Sequence, residues 1–101
     1  MPLKSIGPVT DFPVNKGICL DIDGRKIAIF NSTGQYYAID DTCPHRGASF
    51  AAGTMTGTSV RCPWHGAEVD VRTGMCGPPA GRPVHVYDVS CDGTQLFIDV
   101  G

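Results

Sequence analysis

Two short segments limit what this chain can fold into. Cys43-Pro44-His45-Arg46-Gly47 and Cys62-Pro63-Trp64-His65-Gly66 each offer one thiol and one imidazole. One residue separates the first pair, two separate the second, and residues 46–61 lie between His45 and Cys62. In each segment a Pro stiffens the backbone directly after the Cys. Gly47 and Gly66 lack a β-carbon, so backbone can pass close to a bound group and turn N–H groups towards it. A fold that serves both segments has to bring two distant bends together around one metal-bearing group. Everything else reads as scaffold for Cys43, His45, Cys62 and His65.

Composition bounds the scaffold. At 101 residues the chain is one small domain, and its 42% hydrophobic content is ordinary for a globular protein. A core of that size is modest, so a bound metal centre helps hold it together. The formal net charge of −2 leaves no footprint for nucleic acid or an anionic membrane. No apolar run approaches the roughly 20 residues that span a bilayer. Met1-Pro2-Leu3-Lys4 leads into no cleavable signal, so a soluble, cytoplasmic protein is expected. Five Cys cannot all pair; with two on a metal, Cys19, Cys76 and Cys91 are expected as free thiols in a reducing compartment. Charge is uneven: residues 43–82 carry Arg46, Arg61, Arg72 and Arg82 against Glu68 and Asp70, a net +2, and the remainder is net −4.

The strand signals fall into two groups. Residues 1–17 are rich in Pro and predict extended edge segments and turns. Strands are predicted over 18–22, 25–30 and 35–39, with Asp23-Gly24 as a hairpin turn and 31–34 as another. From Cys43 to about Gly81 apolar periodicity fades, only 58–61 and 68–71 look like strands, and residues 48–52 suit one helical turn. A stretch so rich in loops needs something other than apolar packing to fix it. Strands then return over 84–89 and 94–100, with a turn at Cys91-Asp92-Gly93 between them and Leu96, Ile98 and Val100 on one face. The pattern predicts an all-β fold: an antiparallel base from residues 1–42 and 82–101, with a metal-binding subdomain at 43–81.

The donor set admits two metals. Two Cys and two His satisfy a tetrahedral zinc ion. They also satisfy a two-iron, two-sulfide cluster with two thiolates on one iron and two imidazoles on the other. Familiar zinc patterns group Cys with Cys and His with His, whereas each segment here mixes them, which favours the cluster. Neutral imidazoles leave such a core near zero charge, so it accepts an electron more readily than an all-Cys core.

The paired segments resemble those of the Rieske-type ferredoxins of bacterial multicomponent aromatic-ring dioxygenases, and the likeness covers nearly the whole chain. The resemblance implies a Rieske fold and one [2Fe–2S] cluster per chain, with Cys43 and Cys62 on the inner iron and His45 and His65 on the outer. It implies an electron carrier without catalytic residues of its own. That carrier would be fed by a flavoprotein NAD(P)H-dependent reductase and drained by a terminal Rieske oxygenase. Respiratory Rieske proteins carry two further Cys at positions matching Ala48 and Trp64, and a Ser and a Tyr donating to cluster sulfur at positions matching Ala67 and Val69. Their absence here implies a potential near the low end of about −150 to +300 mV. The alternative within this resemblance is the Rieske-like small subunit of an assimilatory enzyme such as nitrite reductase, many of which lack the ligands that this chain retains.

Other residues have plainer expectations. Cys19 and Cys91 read as small apolar fillers, Cys76 as a spectator in a third loop at 73–81, and His85 as a surface or half-buried strand residue. Asp21, Asp23, Asp40 and Asp41 read as turn residues. Trp64 suits packing or partner contact, and the four arginines suit a solvated rim or a docking patch.

Overall fold

The computed structural model describes residues 3–32, 34–42, 49–61, 68–75 and 84–99. Its strands are β1 (Leu3–Pro8), β2 (Gly17–Ile22), β3 (Arg25–Ser32), β4 (Gln35–Asp40), β5 (Thr54–Thr56), β6 (Ser59–Arg61), β7 (Glu68–Asp70), β8 (Val86–Cys91) and β9 (Gln95–Asp99). They form a six-stranded sheet in the order β1-β9-β8-β4-β3-β2 and a three-stranded sheet in the order β5-β6-β7. All pairings are antiparallel. Among the described residues the only helical pieces are single 3-10 turns at Val9–Asp11 and Phe50–Ala52, and no helix is long and apolar enough to cross a membrane. The all-β expectation is met.

Local chemistry explains the hairpins. β2 and β3 meet through Asp23 and Gly24, which adopt φ of 53° and 81°. Two left-handed residues in a two-residue turn twist the chain in the sense its strands need. β8 serves both halves of the large sheet: Val86 and Tyr87 pair with β4, while Asp88 to Cys91 pair with β9.

β3 is the centre of the packing. Ile27, Ala28, Ile29 and Phe30 are each at most 1% exposed, although successive strand residues point to opposite faces. Such a run needs a layer on both sides. Ile27 and Ile29 pack with Phe12, Ile22, Ala38, Tyr87, Leu96 and Ile98 on one face. Ala28 and Phe30 pack with Ile39 on the other, against Phe50, Met55, Val60, Val69, Val71 and Val84. The second cluster joins the large sheet to the small one. Full burial of each large apolar side chain contributes about 1.5–3 kcal/mol.

Several expectations shift. The strand predicted over 25–30 runs on through Asn31 and Ser32, which pair with Tyr36 and Gln35. Asn31 can be buried because both ends of its amide are bonded: Nδ2 donates to the Phe12 carbonyl at 2.7 Å and Oδ1 accepts from Gly34 N at 2.9 Å. The strand predicted over 84–89 is displaced to Val86–Cys91. Val84 instead donates its N–H to the Gly74 carbonyl at 2.7 Å and buries its side chain in the second cluster. His85 is therefore exposed just before β8, its ring edge-on to Tyr87 with centroids 4.5 Å apart. β5 was too short to register in the sequence pattern. Cys19 and Cys91 are exposed rather than core fillers, because β2 is an edge strand and Cys91 ends β8. Asp21 lies within β2 and Asp40 ends β4, where it accepts the Tyr87 hydroxyl at 2.6 Å.

Candidate functional site

Cys43, His45, Cys62 and His65 lie outside the described residues, as do Arg46, Ala48, Trp64, Ala67, Cys76 and Arg82. The structure does describe what brackets each of their segments. Residues 43–48 are closed off by an isolated antiparallel bridge between Thr42 and Ser49. Just inside it, Phe50 N donates to the Asp41 carbonyl at 2.8 Å. The Asp41 carboxylate accepts the Ser49 hydroxyl at 2.8 Å and the Ala51 N–H at 2.9 Å through one oxygen. Asp41 is 3% exposed, so this residue is a buried bracket and not the solvated turn residue that its type suggests. The Cys19 thiol stands beside it. Partial cover of the sulfur, together with the charge and hydrogen bond of Asp41, pushes that thiol above its ordinary range.

The second segment, 62–67, joins β6 to β7. Arg61 and Glu68 are its flanking register partners, and Val60 and Val69 behind them are fully buried. The third, 76–83, starts from a tight turn: Gly74 N donates to the Asp70 carbonyl at 2.7 Å, and Asp70 N to the Met75 carbonyl at 2.9 Å. Gly74 is at φ +78°, and a β-carbon there would sit 2.2 Å from the Val84 carbonyl oxygen. Only glycine meets both demands.

One contact ties the first two brackets together. A β-carbon on Gly53 would lie 2.2 Å from the carbonyl oxygen of Arg61, the residue before Cys62. Thr54 is the register partner of Arg61 in the small sheet. The chain leaving the first segment therefore runs directly against the chain starting the second. Phe50, Val60, Val69 and Val84, one residue from each of four flanks, share one apolar cluster. The Gly53 approach could have been suspected from the sequence only by knowing the pairing of β5 with β6.

Charge at this end is more balanced than the composition suggests. Arg61 faces Glu68 at 3.5 Å, with both side chains more than half exposed. Arg72 grips Asp70 with Nε at 3.3 Å and a terminal nitrogen at 3.1 Å. Hydrogen bonds from the Arg72 side chain hold the Asp70 carboxyl below its usual range. Exposed pairs of this kind stabilise by little, but they remove two of the four arginines from any simple positive patch.

The two segments that carry a thiol and an imidazole each in sequence have described flanks in mutual backbone contact and rooted in one core. The chain belongs to the Rieske [2Fe–2S] domain family, whose model matches residues 3–88. Its cofactor is accordingly one [2Fe–2S] cluster, which replaces the zinc alternative.

Within the family the similarity is to ferredoxin components. The chain is 39% identical over 80 residues to the p-cumate 2,3-dioxygenase system ferredoxin component of Pseudomonas putida, covering 77% of this chain and 68% of that one. It is 38% identical over 96 residues to the 3-phenylpropionate/cinnamic acid dioxygenase ferredoxin subunit of Escherichia coli (strain K12), covering 92% and 89%. Its fold matches a chain in the complex of reduced oxygenase and oxidized ferredoxin in carbazole 1,9a-dioxygenase. That match has a TM-score of 0.88 and 28% identity over 95% of this chain and 91% of that one.

Proposed function

We propose that this chain is the electron-carrying ferredoxin of an aromatic-ring dioxygenase system, acting in aromatic hydrocarbon catabolism and performing no catalysis itself. Cys43, His45, Cys62 and His65 hold the cluster, with the thiolates on the inner iron and the imidazoles on the outer. When bound, the cluster takes up and releases a single electron. Electrons arrive one at a time from a flavoprotein NAD(P)H-dependent reductase and leave to a terminal Rieske oxygenase. The relatives' names, and the oxygenase–ferredoxin complex containing a similar fold, support the oxygenase partner. The carrier works as a soluble cytoplasmic protein.

The chain's own residues do the holding. Residues 1–42 and 82–101 supply a base, and 43–81 a cluster-binding subdomain rooted in it. The observation that supports the reading is the seating of Gly53 against Arg61, a contact between the chain that follows the first donor segment and the chain that leads into the second. Phe50, Val60 and Val69 exclude water behind them.

Purified protein tests this directly. Chemical analysis should give iron and acid-labile sulfide in equal amounts. Electron paramagnetic resonance after dithionite reduction should show a cluster with mixed sulfur and nitrogen ligation. Rapid mixing should then show the reduced protein passing its electron to a purified terminal oxygenase. Zinc in place of iron, or an all-sulfur spectrum, would sink the reading.

A further inference from the structure

Asp41 combines burial, charge and position in a way that no other described residue does. It is 3% exposed and stands two residues before Cys43, a separation of at most about 7 Å of backbone. Two donors converge on one oxygen of its carboxylate: the Ser49 hydroxyl at 2.8 Å and the Ala51 N–H at 2.9 Å. Both are donors to an oxygen that accepts, one from a side chain and one from the main chain beyond the donor segment. Its main chain is held as well, with Asp41 N donating to the Lys26 carbonyl at 3.0 Å and its carbonyl accepting from Phe50 N at 2.8 Å. Asp21 and Lys26, register partners on the neighbouring strands, are exposed and opposite in sign. Water screens exposed charges far more than buried ones, so Asp41 is the least screened of these three groups.

We propose that Asp41 is a positioning residue for the cluster: it clasps both flanks of the 43–48 segment, and its fixed negative charge holds the reduction potential down. This rests on the four-ligand reading above. Reduction adds a negative charge to the cluster, and a nearby buried anion opposes that addition. The low potential implied by the missing hydroxyl donors at Ala67 and Val69 thus has a second, separate source.

The test uses purified holoprotein with wild type, Asp41→Asn, Asp41→Glu and, as an exposed control, Asp88→Asn. Asn keeps an oxygen to accept from Ser49 and Ala51 but removes the charge. The readouts are cluster occupancy from iron content and the reduced-to-oxidised ratio at fixed ambient potential, followed by electron paramagnetic resonance. Asp41→Asn is expected to keep its cluster and to raise that ratio about threefold or more, while Asp88→Asn leaves it unchanged. An unchanged or lowered ratio in Asp41→Asn overturns the proposal. If Asp41→Asn fails to assemble, Asp41→Glu decides. Assembly with the wild-type ratio supports a requirement for the charge; failure of both, or an altered ratio in Asp41→Glu, shows that side-chain shape is what matters and overturns it. A wild type lacking the mixed-ligand spectrum would instead refute the four-ligand reading itself, so the two failures are distinguishable.

Discussion

Gly53 and Arg61 approach so closely that a single added carbon on Gly53 would stand 2.2 Å from the Arg61 carbonyl oxygen. The neighbour is backbone, held in the small sheet by Val60 and its pairing with Met55. It has no side-chain freedom with which to yield. The contact makes the spacing between the described flanks of the two donor segments a property of the main chain.

Gly53→Ala should therefore destabilise the protein by about 1–3 kcal/mol, the usual cost of forcing one extra carbon into a packed site. It should also lower the iron retained per chain. Thermal melts followed by circular dichroism, with iron analysis on the same samples, check both. A variant with wild-type stability and full iron would show that the two segments are not set by this approach.

Phe50→Ala removes the largest side chain that the small subdomain inserts against β3, and Phe50 is fully buried. The expected loss is about 3–5 kcal/mol. The same truncation of Leu96, which belongs to the other cluster, should cost about 2–5 kcal/mol. Phe50→Ala should release iron more readily than Leu96→Ala when the two are compared at equal fractions folded, which chelator-competition rates would reveal.

Tyr87 gives the pH dependence an alkaline limb. Burial, then the hydrogen bond to Asp40, raises the Tyr87 phenol above its ordinary value of 10.0. The native state thus keeps a proton that the unfolded chain loses above about pH 10. Stability from this group is complete below that pH and declines as pH rises through the window above it. Cys19, raised from 9.0, adds a decline of the same sign that begins lower. Denaturation titrations across the alkaline range should show the fall, and Tyr87→Phe should flatten its upper part. A Tyr87→Phe profile identical to wild type would refute the assignment.

By its resemblance to Rieske sequences, Ala67 matches the position at which the respiratory proteins carry a Ser that donates to cluster sulfur. Ala67→Ser should raise the reduction potential, since a donor to sulfur favours the more negative state. Protein-film voltammetry reads this directly, and no change or a fall would count against it.

The Asp23-Gly24 hairpin and the alternation of Leu96 and Ile98 were legible because each is a local signal with a local cause. Asn31 was misleading because its amide looks like turn chemistry until Phe12, distant in sequence, supplies the partner that lets it be buried. Cys19 was misplaced because exposure on the edge strand β2 depends on sheet order, and Cys91 because it falls at the very end of β8, neither of which composition reveals. Asp41 was the largest miss. A short acid after a strand reads as a turn, and nothing in the sequence announces that Ser49 and Ala51 will return to it across the donor segment.

The burial of β3 on both faces makes the molecule indivisible. Opening the small sheet would wet Ala28 and Phe30, and opening the large one would wet Ile27 and Ile29, which share the same eight residues of chain. Among the described residues, neither sheet can be peeled away without exposing one face of β3. Strain applied to one of the two sheets is therefore passed through β3 to the other.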